Sequence, residues 1–145
     1  MSESNRPHGA ATIVIIEDDD RTASDLQAGL VGAGYVVRRA GSADEALTTL
    51  EQTRADLILM SLMLPDTDGL ILCSTLKTQF RAPIIVLSAR GGEVDRALAL
   101  ESGAIDLVPK PVDVDELLTQ VRAVVTQGLG VSAGDQWSGF TGQRP

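Results

Sequence analysis

The stretch Asp56-Leu57-Ile58-Leu59-Met60-Ser61-Leu62-Met63-Leu64-Pro65-Asp66-Thr67-Asp68-Gly69 decides the fold. Its first part, a strand over about 56–60, carries the uninterrupted apolar run Leu57 to Met60, so both of its faces must be covered. That is the pattern of a parallel sheet lying between helices. The Pro-Asp-Thr-Asp-Gly turn then leads into a segment carrying Leu70, Ile71, Leu76 and Phe80 at helical spacing, the expected inner face of a helix.

The same alternation extends in both directions. Upstream, Thr12–Ile16 forms a strand, and residues 20–33 a helix with Ala23, Leu26, Leu30 and Ala33 inward, stopped by Gly34. A short strand near Tyr35-Val36-Val37 precedes a helix opened by Ser42. Its hydroxyl caps the first turn while Glu45 reaches back as a capping box, and Ala46, Leu47 and Leu50 face inward. Downstream, a strand over 83–87 leads to a fourth helix near 93–102, which is expected to bury Val94, Ala97 and Leu98 and to end at Gly103. A fifth strand spans Asp106 to Val108. A last helix begins after Asp113, with Glu116 completing a second capping box, and buries Leu117, Leu118, Val121, Val124 and Val125. Five strands and five helices in strict alternation make an α/β domain over residues 12–126.

The chain has 145 residues, 43% of them hydrophobic, which suits one domain with an ordinary core. Aromatics are only 3%, so aliphatic side chains must build that core. A formal charge of −8 argues against a general nucleic-acid surface on this domain. The single Cys73 cannot form an internal disulfide and reads as a small buried hydrophobe. Met1 to Ala11 is polar, with no signal-peptide core, and no apolar run approaches the roughly 20 residues of a membrane span. A cytoplasmic protein without membrane contact is expected. Residues 1–11 read as a disordered lead, and 127–145, rich in glycine and anchored only by Trp137 and Phe140, as a flexible linker or tail.

In a parallel α/β sheet, residues just past the carboxyl ends of the strands converge on one crevice. Glu17, Asp18, Ser61, Ser88 and Lys110 occupy such positions. Two carboxylates and a backbone carbonyl offer oxygens to Mg²⁺, while hydroxyls and an ammonium suit phosphoryl oxygens. Taken singly, each piece has an ordinary structural reading: the run Glu17-Asp18-Asp19-Asp20 as a helix entrance, Ser88 as a helix cap, Lys110 as a surface lysine. Their joint occurrence, each at the end of a different strand, favours a site.

With the segments Ile15–Asp19, Asp56–Gly69, Pro83–Ala89 and Gly103–Pro111, the chain resembles the receiver domains of bacterial two-component response regulators, over about residues 12–126. The resemblance implies a flavodoxin-like, doubly wound five-stranded parallel sheet of order 2-1-3-4-5 flanked by five helices, an architecture for which a receiver is a standing example. It implies that Glu17, Asp18 and the backbone carbonyl of Met63 are the Mg²⁺ ligands. Ser88 becomes the switch hydroxyl, Lys110 the lysine that pairs with the phosphoryl group, and Lys110-Pro111 a cis bond. The family's phosphoacceptor aspartate falls on Ser61, and its switch aromatic on Leu107.

A serine has neither the acceptor carboxylate nor its share of the metal site, so the expectation is an atypical receiver, no enzyme, with weak Mg²⁺ binding and a phosphorylation-independent role in protein interaction. The motifs around Leu62–Pro65 and Asp95–Ala104 look most like receivers attached to winged-helix DNA-binding domains, which implies transcription regulation. In that group the fourth helix, fifth strand and fifth helix form a homodimer face through charged pairs. Asp95, Arg96, Glu101, Asp106 and Arg122 could supply them here, although Gln120 stands where an arginine is common. A sensor histidine kinase or another regulatory protein is the second expected partner. Two alternatives stay open: an ordinary phospho-accepting receiver with an introduced Asp-to-Ser change at 61, and a small Mg²⁺-dependent phosphatase or phosphotransferase. The otherwise complete pocket favours an introduced change, whereas Leu107 favours a natural atypical receiver.

Overall fold

In the computed structural model, which describes residues 10–131, the strands β1 (Thr12–Ile16), β2 (Val36–Ala40), β3 (Leu57–Ser61), β4 (Ile84–Ser88) and β5 (Asp106–Pro109) alternate with the helices α1 (Asp20–Gly32), α2 (Ala43–Gln52), α3 (Gly69–Gln79), α4 (Glu93–Glu101) and α5 (Val114–Val131). The strands form one parallel sheet of order β2-β1-β3-β4-β5. This is the doubly wound order expected. Every residue of β1, β3 and β4 is buried, as uninterrupted apolar runs require.

Strand alternation divides the core into two layers. Val14, Ile16, Ile58, Met60, Ile84 and Val86 pack with side chains of α2, α3 and α4. Ile13, Ile15, Leu57, Leu59, Ile85 and Leu87 pack with α1 and α5 through Leu26, Leu30, Leu117, Val121 and Val125. A side chain shifted by one position along any central strand would change layers.

Several helix expectations need correction. Ala33 is the exposed C-cap of α1, because the chain leaves the helix there and turns through Gly34 at φ +101°. Glu45 does not complete a box on Ser42: the Ser42 hydroxyl accepts from Glu45 N, but the Glu45 carboxylate accepts from Gly41 N. Ile71 is 62% exposed, and α3 buries Leu72, Cys73 and Leu76 instead. Four apolar residues in a row, Leu70 to Cys73, leave the phase of that helix undefined by pattern alone. In α4 the error is larger. Val94, Ala97 and Leu98 are exposed, and only Ala99 is buried.

Ala11, placed by sequence in the lead, is fully buried, and its carbonyl accepts from Val36 N. The last helix continues to Val131, past the expected end near 126. The expectations for residues 1–9 and 132–145, with Trp137 and Phe140, lie outside the described residues.

Candidate functional site

Four strand ends meet at the carboxyl end of the sheet. Glu17 follows β1, and Ser61 and Ser88 are the last residues of β3 and β4, each of which ends one residue later than expected. Lys110 follows β5, where its amide donates to the Ser88 carbonyl at 2.9 Å. The Lys110–Pro111 bond is cis, as expected.

The Lys110 ammonium lies 2.7 Å from Glu17 Oε1 and donates to Ser61 Oγ at 3.1 Å. The Ser61 hydroxyl donates to the Met63 carbonyl at 3.2 Å. Glu17 is fully buried, and no donor among the described residues meets its Oε1 in hydrogen-bonding alignment, so the ammonium compensates it as a charge. Removing Lys110 would leave a buried carboxylate without its counter-charge.

The other expected residues behave differently. Asp18 is exposed and makes no hydrogen bond or ion pair among the described residues. The Ser88 hydroxyl is buried and turns to its own loop, accepting from Arg90 N at 3.0 Å and Gly91 N at 3.3 Å. Leu107 is 4% exposed and packs in the same layer as Val86 and Ala99. The structure thus joins Glu17, Lys110, Ser61 and Met63, leaves Asp18 at the surface, and places Leu107 inside.

Two contributors went unseen in the sequence. Arg39, on β2, donates from Nε and Nη2 to the Glu17 carbonyl at 3.1 and 2.9 Å, and its Nη1 lies 2.9 Å from Asp20. Asp66, read only as a turn residue, accepts from Ala43 N and Asp44 N at 2.9 and 3.1 Å, so it caps α2 from the loop after β3. Those amide bonds, Ala43 first, hold its carboxyl below the ordinary 3.8. Asp19 is lowered too, chiefly by the Thr22 hydroxyl and then the Thr22 amide, as the N-cap of α1. No local pattern signals contacts across 22 or 23 residues.

The oxygens of Glu17, Asp18 and the Met63 carbonyl suit a hard divalent cation, and the poorly aligned, buried Glu17 Oε1 is the atom that such an ion would satisfy. Yet Lys110 already neutralises Glu17, and no group of three or more acidic, histidine or cysteine side chains among the described residues could hold a metal. The set fits a weakly held Mg²⁺, whose chemistry would be to neutralise phosphoryl oxygens at the pocket mouth.

Comparison with known proteins supports the fold and gives the family. A family model described as "Response regulator receiver domain" matches residues 13–122. The chain belongs to the response regulator receiver family. This receiver is 38% identical over 117 residues to the transcriptional regulatory protein AfsQ1 of Streptomyces coelicolor, covering 81% of the chain and 52% of that protein. It is 40% identical over 111 residues to the DNA-binding response regulator MtrA of Mycolicibacterium smegmatis, covering 77% and 49%. The chain spans about half the length of the curated relatives it matches. Among solved structures, a response regulator from Chloroflexus aurantiacus superposes with a TM-score of 0.75 at 35% identity, covering 81% of this chain and 98% of that one.

Proposed function

We propose that this receiver acts without phosphorylation, as a protein-interaction module of a two-component system. Ser61 stands where the family's acceptor aspartate is expected, and the observation that carries the reading is the engagement of its hydroxyl. The proton is directed to the Met63 carbonyl while the oxygen accepts from Lys110. A serine nucleophile needs a base, and the carboxylate that shares Lys110 with it, Glu17, is itself held by that ammonium. Mg²⁺ binding through Glu17, Asp18 and the Met63 carbonyl is weak.

The surface for interaction is α4, β5 and α5, and its occupant is a second copy of this chain. Val94, Leu98 and Leu100 of α4 are 73%, 40% and 44% exposed. Asp106 is held by Arg96 at 2.6 Å and by Gln120 within the same chain. With Leu107 inside, this face is set in one arrangement and needs no aromatic lever. A sensor histidine kinase can dock without transferring a phosphoryl group. The relatives' names motivate a role in transcription control, exerted from the cytoplasm through a DNA-binding output rather than by catalysis here. No helix among the described residues is long and apolar enough to cross a membrane.

Incubating the protein with a small acyl-phosphate donor and Mg²⁺ and measuring its intact mass tests the reading. No addition is expected. A gain of one phosphoryl group mapped to Ser61 would overturn it.

A further inference from the structure

Four consecutive carboxylates, Glu17 to Asp20, crowd the junction of β1 and α1, and the structure shows where the charge of each goes. Glu17 faces Lys110 at 2.7 Å. Asp19 caps α1 by accepting from the Thr22 amide and hydroxyl at 2.9 and 2.7 Å, which places its charge at the positive end of the helix. Asp20 meets the Arg39 guanidinium at 2.9 Å. Asp18 alone has no partner among the described residues.

Arg39 does more than pair with Asp20. Its Nε and Nη2 grip the Glu17 carbonyl, while the Glu17 amide donates to the carbonyl of Ala40, the next residue of β2, at 2.9 Å. Both backbone polar groups of Glu17 are therefore bound to the end of one strand. The planar fork of an arginine can hold a carbonyl and a carboxylate together, which the single point donor of a lysine does less well. With its side chain 28% exposed, the guanidinium is partly withdrawn from water, so its field on the loop is less screened than that of a free surface charge. The exposed Asp20 contact itself contributes little to stability.

We propose that Arg39 is a positioning residue of the acidic loop, and that with Lys110 it supplies from within the protein the positive charge that Glu17–Asp20 would otherwise draw from a divalent cation. The inference rests on the reading of Glu17, Asp18 and the Met63 carbonyl as cation ligands. It goes further by assigning the weakness of that site to a residue on the opposite side of the loop. A loop ordered by its own cations also explains how the pocket holds its shape with a serine at 61.

The test is Mg²⁺ affinity, read by titration calorimetry on the full chain as wild type, Arg39→Gln and Arg39→Lys. Glutamine can still donate to the Glu17 carbonyl but has no charge. Removing one charge close to the loop should tighten Mg²⁺ binding about threefold to tenfold, whereas Arg39→Lys should stay near wild type. Unchanged or weaker binding in Arg39→Gln would overturn the proposal. Melting curves give a second readout independent of the variant's absolute stability. Mg²⁺ should raise the melting temperature of Arg39→Gln relative to chelator and leave the wild type almost unmoved; equal responses overturn the proposal as well. If neither protein binds Mg²⁺ at all, the cation-site reading fails along with it. The mass test on Ser61 stands independently of every one of these outcomes.

Discussion

Helices α3 and α4 cover the same layer of the core but dispose of their apolar residues in opposite ways. The eleven-residue α3 turns Leu72, Cys73 and Leu76 onto the sheet. The nine-residue α4 buries Ala99 alone and shows Val94, Leu98 and Leu100 to the outside. A small residue suffices to seat α4 beside β5, and its large residues stay partly or largely exposed. An apolar stripe at helical spacing therefore does not by itself place a helix face in the core.

Substitutions in the two helices should separate these roles. Leu76→Ala removes a fully buried side chain and should lower stability by about 2–5 kcal/mol, measured by chemical denaturation of the monomer. Leu98→Asp should cost the monomer less than Leu76→Ala, because 40% of Leu98 is already exposed, while abolishing self-association. Comparable destabilisation from both would mean that α4 is a core helix after all.

The next largest effect concerns the pocket. In Ser61→Asp a second carboxylate would share Lys110 with buried Glu17, and like charges around one ammonium repel. A loss on the order of 1 kcal/mol is expected in chelator, recovered on adding Mg²⁺. A variant as stable as the wild type in chelator would show that Glu17 and position 61 do not compete. This is the direct comparison between a pocket neutralised from within and one that calls for metal.

The smallest effect lies in the loops. Asp66 and Asp19 have folded-state pKa values below their ordinary 3.8, so the unfolded chain takes up protons first as pH falls. Their stabilisation is present above pH 3.8 and is lost as pH drops through the lower folded-state values. Asp66→Asn should cost a little at neutral pH, and the gap to wild type should close below pH 3.8 in a series of melting curves. A gap that persists in acid would assign the effect to something other than the carboxylate cap on α2.

Much of this architecture was legible in the sequence because its signals are local. Apolar runs ended in polar groups at Glu17, Ser61 and Ser88, and a parallel sheet necessarily gathers such ends. Lys110 was found for the same reason. The burial of Glu17 against exposed Asp18 was not legible, since neighbouring carboxylates look alike until a partner such as Lys110 selects one. Arg39 and Asp66 act across loops, and nothing near them in the chain reports it. Ile71 was misplaced because Leu70 to Cys73 allow more than one helical phase. Val94 and Leu98 were misplaced because apolar residues at helical spacing mark a face without saying whether the sheet covers it.

The most direct test of the account is sedimentation equilibrium of the unmodified chain, run with and without beryllofluoride and Mg²⁺, beside Leu98→Asp. The account predicts a dimer that forms without beryllofluoride, is unchanged by it, and is lost in Leu98→Asp. A monomer under all conditions, or a dimer that appears only with beryllofluoride, would contradict it.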